Sequence, residues 1–301
     1  MFRTIVVGYD EPERGGQAIA LAETLRDPRG GSLLLTSAYM PTPVPAAPFV
    51  VAADLRDPTE RLLAAARARL EGDMPVRTIA VPAAPARALT ETAEREHADL
   101  VVVGSSHHGA VGRVLPGTTA ERLLTGAPCA VAVAPRGYER GDVRHIGAAY
   151  EGSPEAEAAL RAAEALAVEL DAALTVYCVV EPPPVTSSVI AAGTGSEWPS
   201  VTAKQHGRQL LYYVADHAPR GLELETVLLH GHAAEQIARR TAGTVDLLFA
   251  GSRGYGPLRR ALVGSVSGKL LREAGCPVVI TPRSAVVTHR GVTTQSQPAN
   301  A

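Results

Sequence analysis

Short, unbroken apolar runs recur along the chain, separated by longer stretches in which apolar residues return every three or four positions. The runs are RTIVVGY (3–9), SLLLTSAY (32–39), VRTIAV (76–81), DLVVVGS (99–105) and CAVAVAP (129–135). A second set follows: HIGAAY (145–150), LTVYCVV (174–180), ELETVLLH (223–230), DLLFAGS (246–252) and CPVVITP (276–282). None alternates apolar with polar, so each reads as a strand covered on both faces. The intervening stretches, such as PEAEAALRAAEALAVEL (154–170), carry the helical period. Strands alternating with helices predict an α/β architecture with parallel sheets built from right-handed βαβ units.

The pattern is written twice. DLVVVGSS over DLLFAGSR gives an offset of 147, and the same offset carries Gly104 to Gly251, Gly117 to Gly264, Cys129 to Cys276 and Pro135 to Pro282. Nearer the start the offset is 141, with Asp10 falling on Glu151, and the six-residue difference is assigned to the Pro- and Gly-rich stretch 181–200. A period this long marks a duplicated domain, not a solenoid repeat. The expected organisation is one module over 1–138, a second over 142–284 and a disordered polar tail over 285–301. The proline-rich segments 41–58 and 181–200 are read as loops at the carboxyl edge of each sheet, where open α/β sheets take ligands.

Composition narrows the function classes. A net charge of −2 leaves no footprint for nucleic acid or a membrane surface, and 4% aromatic residues argue against base-stacking platforms. No run approaches the roughly 20 apolar residues of a membrane span. The N-terminus enters a strand directly, without a signal-peptide pattern. Three scattered cysteines form no disulfide framework, and a reducing, cytoplasmic setting is expected.

The chemistry concentrates in GSRGYGPLRRALVGSVSG (251–268). A glycine-rich turn between a parallel strand and a helix exposes backbone N–H groups to an anion, and the helix N-terminus adds positive potential. GSVSGKL is not a Walker A loop, having three residues between its glycines and Leu270 in place of Ser or Thr. GYGPLR fails the dinucleotide fingerprint at Arg259. The stretch does fit Gly-x2-Gly-x9-Gly-Ser, through Gly251, Gly254, Gly264 and Ser265.

That spacing, after an apolar strand and ahead of CPVVITP, resembles the ATP-binding branch of the universal stress protein family in its tandem two-module form. The resemblance covers about 1–283. It implies doubly wound modules, each a five-stranded parallel sheet of order 3-2-1-4-5, with ATP, alone or with Mg²⁺, over the carboxyl edge. It further implies that Ala149, Glu151 and the backbone of Val179 meet the adenosine end. Phosphates would meet the backbones of Gly251, Gly254, Gly264, Ser265 and Val266, with the hydroxyls of Ser265 and Ser267 assisting. Arg253 either reaches phosphate oxygens or covers the turn. The family's habit of pairing modules through the last strand points to CAVAVAP and CPVVITP as an internal contact, with homodimerisation open.

Copy one keeps Asp10, Ala38 and Gly104 at the matching positions but has His107 where the second glycine falls. Gly117 and Thr118 then stand for Gly264 and Ser265. Glycines used only for close helix–sheet packing are the alternative for both copies. Cys129 and Cys276 read as small core residues. His230 and His232 fit a solvated loop or a metal or phosphate contact, and Trp198 a loop residue near the ligand. Asp99 and Asp246 are expected to bond the turn before strand four, and Lys269 and Arg272 to form an exposed helix face. Three functions remain in view: a nucleotide-binding regulatory protein of stress or dormancy physiology, a slow ATPase or adenylyl-transferring enzyme, and a nucleotide-free interaction module.

Overall fold

A computed structural model of the chain describes residues 1–40, 51–70, 74–105, 117–182, 198–252 and 265–281. The first half runs β1 (Thr4–Gly8), α1 (Pro12–Leu25), β2 (Ser32–Ala38), α2 (Val51–Arg67), β3 (Val76–Val81), α3 (Pro85–Arg95), β4 (Leu100–Gly104), α4 (Thr118–Gly126), β5 (Ala130–Ala134). The second runs β6 (His145–Ala149), α5 (Pro154–Leu170), β7 (Ala173–Val180), α6 (Trp198–His217), β8 (Leu224–His230), α7 (Ala233–Thr241), β9 (Leu247–Gly251), α8 (Ser265–Glu273), β10 (Val278–Thr281). Proline opens α1, α3 and α5, at the position where its missing N–H costs nothing.

All ten strands join one sheet, in the order β3-β2-β1-β4-β5-β10-β9-β6-β7-β8. Each half is parallel and has the order 3-2-1-4-5, the doubly wound arrangement with helices on both faces. The halves meet where β5 and β10 pair antiparallel, Val133 opposite Val278 and Val131 opposite Ile280. These are the two runs that the family resemblance pointed to as an internal contact. Sheet register also locates the length difference between copies. Val176 stands where Leu35 does, 141 residues on, whereas Thr226 stands where Thr78 does, 148 on. Seven extra residues therefore lie between the second and third strands, and one fewer between the third and fourth returns the offset to 147.

Side chains alternate across the strands into two apolar layers. Ile5, Val7, Leu33, Ile146, Val176, Phe249 and Val279 face α1, α2, α5 and α6. Val6, Leu34, Val101, Val131, Leu248, Val278 and Ile280 form the other layer, with residues of α3, α4, α7 and α8. Each layer runs through the β5–β10 seam, so the modules share their core. The ion pair Arg29–Glu169 at 3.0 Å also joins the halves, but exposed pairs of this kind contribute under about 1 kcal/mol.

Three expectations are corrected. The segments read as loops over 41–58 and 181–200 end in helix, since α2 begins at Val51 and α6 at Trp198. Pro58 lies inside α2, where local propensity argues against helix, but Leu63 and Ala66 pack this helix into the core. Asp99 and Asp246 do not bond the preceding turn. Asp99 accepts from the N–H groups of Arg3 and Thr4 at 2.9 and 3.0 Å, and Asp246 from those of Arg144 and His145 at 2.8 and 2.9 Å. Each carboxylate thus fastens strand four to the start of strand one. The glycine-rich stretch is expected to turn into a helix at KLLREA (269–274), but α8 begins a full turn earlier, at Ser265.

Candidate functional site

The carboxyl edge of the second module holds a cavity of about 300 Å³. The ends of β6, β7 and β9 form its floor, and α6, α7 and α8 its walls. Ala149, Glu151, Val179, Gly251 and Val266, all implied by the resemblance, line it. Tyr177, Leu210, Ile237 and Leu270 give it an apolar interior, with Glu181 and His206 adding polar groups. Small pockets of this kind, apolar with a few polar groups, suit a planar or partly apolar ligand.

Local sequence makes the acidic corner. After Tyr150 the chain turns at Gly152, whose φ of +82° favours glycine, and enters α5 through Ser153 and Pro154. Ser153 accepts from the N–H of Ala156 at 3.1 Å as N-cap and donates its hydroxyl to the Glu151 carboxylate. Burial raises the Glu151 carboxyl to about 7, against the lowering effect of the Ser153 and backbone hydrogen bonds; the nearby Glu155 raises it further. Ser153→Ala is expected to cost about 1 kcal/mol in chemical denaturation through loss of the cap, and to move the Glu151 titration upward. A carbon-detected titration of the carboxyl checks the second effect, whose absence would separate Ser153 from Glu151.

Gly251 ends β9 against the first turn of α5. A Cβ there would stand 2.7 Å from the Ala156 amide nitrogen and 2.8 Å from the Glu155 carbonyl carbon. Gly104 has the same role in the first module, its Cβ position lying 2.6 Å from the carbonyl oxygen of Arg14. Both glycines therefore serve close helix–strand packing, whatever else they do. Val266 lies in the first turn of α8, while the Ser267 hydroxyl donates to the Ser252 carbonyl at 3.0 Å. That hydroxyl, expected to assist a phosphate, is used within the fold. Ser265 is the first residue of α8. Arg253, Gly254, Gly264 and His107 lie outside the described residues.

The first module presents its acid differently. Arg14 reaches Asp10 at 2.6 Å and Glu11 at 2.7 Å, so a cation compensates the carboxylate. The residue matching Arg14 in the second module is Glu155, which supplies no such cation. Beneath Gly8, side chains of Val103 and Leu89 come within 3.1 and 3.2 Å of a Cβ position, filling that space. Ala38 ends β2, Gly117 is the N-cap of α4 with an ordinary φ of −76°, and Thr118 is its first residue.

Sequence reasoning missed the wall made by α6. Ala203, Gly207 and Leu210 line the cavity at helical spacing, but they follow a segment read as loop. Trp198 begins this helix; it is not a loop residue. His230 ends β8 and His232 is the N-cap of α7, giving no side-chain cap bond. Cys129 and Cys276 are buried, and burial pushes both thiols up to about 12. Lys269 and Arg272 are exposed on α8.

A duplicated, doubly wound chain with a ligand-sized cavity at one carboxyl edge defines the class. The universal stress protein family model matches residues 1–135 and again 142–282, and the chain belongs to that family. It is 34% identical over 134 residues to a universal stress protein of Thermus aquaticus, which covers 44% of this chain and 97% of that one. A longer match, 26% over 202 residues, joins it to the Mycobacterium tuberculosis universal stress protein Rv2319c, covering 64% and 68% of the two chains. Among solved structures, a universal stress protein of Archaeoglobus fulgidus superposes with a TM-score of 0.68 at 16% identity, over 93% of this chain and 98% of that one.

Proposed function

We propose that the chain is a nucleotide-dependent regulatory protein of stress or dormancy physiology, and that its second module takes ATP or another adenine nucleotide. The observation that carries this reading is the cavity at the carboxyl edge, lined by Ala149, Glu151, Val179, Gly251 and Val266. Its apolar interior suits a purine, and the start of α8 beside it offers backbone N–H groups to a phosphate. The sequence pattern Gly-x2-Gly-x9-Gly-Ser supports the same ligand class. In the first module, Asp10 held by Arg14 and the histidine at position 107 favour a vacant, structural half.

The expected result is one adenine nucleotide per chain, read by native mass spectrometry and by calorimetry with ATP, ADP, AMP and adenosine, each with and without Mg²⁺. Absence of both bound nucleotide and binding heat would leave the interaction-module reading. Steady phosphate release in the same samples would instead favour an ATPase. Cytoplasmic residence is part of this proposal; among the described residues, no helix is long and apolar enough to cross a membrane.

A further inference from the structure

Two helix N-termini border the second-module cavity, one at Ala233 of α7 and one beside Val266 of α8. One of the free N–H groups at α7 is already taken. At α7 the N-cap residue His232 supplies no side-chain cap, and the Ala233 N–H instead donates to the Glu181 carboxylate at 3.0 Å. Glu181 directly follows β7, 52 positions away in sequence, so this bond ties the floor of the cavity to its wall. The first turn of α8 carries no acidic residue, while that of α7 carries Glu235, paired with Arg239 at 2.7 Å.

Glu181 also divides space. Together with Ala233 and Val266 it lines both the 300 Å³ cavity and a neighbouring groove of about 460 Å³, which Lys269, His232 and Glu273 line on the far side. A negative charge on the partition repels an anionic group, and the α7 N–H it occupies is unavailable to one. We infer that Glu181 is a specificity-determining residue: it fixes the direction of a phosphate-bearing ligand, excluding its anionic end from α7 and steering it to α8.

This rests on the nucleotide reading for its ligand, but its test does not. In ¹⁵N-resolved spectra of the full chain, inorganic phosphate should leave the Ala233 and Ala234 amides unmoved. In Glu181→Ala the same titration should move both amides along a saturating curve, and Glu181→Gln, which keeps the shape without the charge, should give a smaller shift. Phosphate response at Ala233 in the native chain would overturn the inference. So would its absence in a Glu181→Ala protein whose remaining spectrum matches the native one. Where nucleotides bind, the shifts caused by ATP but not by adenosine should stay within α8 in the native chain and spread to α7 in Glu181→Ala. Failure of nucleotide binding alone would remove the nucleotide reading and leave the phosphate result to decide the role of Glu181.

Discussion

Gly251→Val should lower the free energy of unfolding by about 3 kcal/mol and abolish ligand binding at the second-module cavity. The reason is steric. A Cβ at 251 would sit 2.7 to 3.0 Å from Ala156 and Glu155, and the two nearest of those atoms are backbone of the α5 N-terminus. A flexible side chain yields; a helix end fixed by its Ser153 cap does not. Relief requires moving α5 away from β9, which also displaces Glu151 and opens the cavity floor. Gly104→Val repeats the clash against Arg14 in the first module and should cost a similar amount, while leaving nucleotide binding by the folded protein intact. Gly16→Ala is the control: it is in α1, with open space at its Cβ position, so it should be neutral or stabilise by about 0.5–1 kcal/mol. Urea melts of the three variants, with calorimetry on the folded fraction, measure both effects. Equal midpoints for Gly251→Val and the native chain would show that the contact is not as close as described.

The same contact explains what the sequence could and could not convey. Strand runs such as DLLFAGS and CPVVITP were legible because both faces of a parallel sheet are buried, which leaves an apolar signature at every position. The duplication was legible because Gly104 and Gly251 occupy one steric situation, beside the first turn of the helix after strand one. The antiparallel seam was offered by family resemblance alone; periodicity does not distinguish β5 or β10 from the other buried strands. The α6 wall was hidden for a different reason. Proline marks a local break, but α6 takes its stability from packing on β7 and β8, a tertiary term that local propensity does not contain. Asp99 and Asp246 misled in the same way. Their partners are the backbone N–H groups at the start of strand one, distant in sequence and adjacent only once the sheet forms.

The difference between the two acidic corners was visible as residues but not as chemistry. Asp10 and Glu151 align, and a methylene separates them in composition. Burial is the main cause that raises Glu151, and the residues four positions on, Arg14 and Glu155, widen the difference between the two corners. A cation at that position neutralises Asp10 at the surface, whereas Glu151 stays beside a second carboxylate, bonded to Ser153 and facing a cavity. An acid left in that position carries a free-energy cost when ionised, and the cost depends on pH.

Glu151→Gln should therefore stabilise the protein at pH 8 and have little effect at pH 4. In the unfolded chain this carboxyl titrates near the ordinary 4.5, and in the folded protein near 7. Below 4.5 both states hold the proton and the residue costs nothing. Between 4.5 and 7 the folded state binds the extra proton, so the native chain loses stability as pH rises; above 7 the loss is complete. At 1.36 kcal/mol per pH unit the whole interval corresponds to about 3 kcal/mol, which partial solvent contact reduces to about 1–2 kcal/mol. Glutamine keeps an oxygen to accept from Ser153 and removes the charge, so the variant should lose this slope. Asp27 and Glu96, held below the ordinary range by hydrogen bonds from the Arg29 backbone and the Arg77 side chain, add slope of the opposite sign at lower pH. Both remain in the variant and cancel in the difference. Urea denaturation of the two proteins from pH 4 to pH 8 gives the curve directly: a difference that grows across pH 4.5–7 and then levels assigns it to Glu151. A difference constant with pH would mean that the carboxyl titrates alike in the folded and unfolded chains and that the residue acts through packing alone.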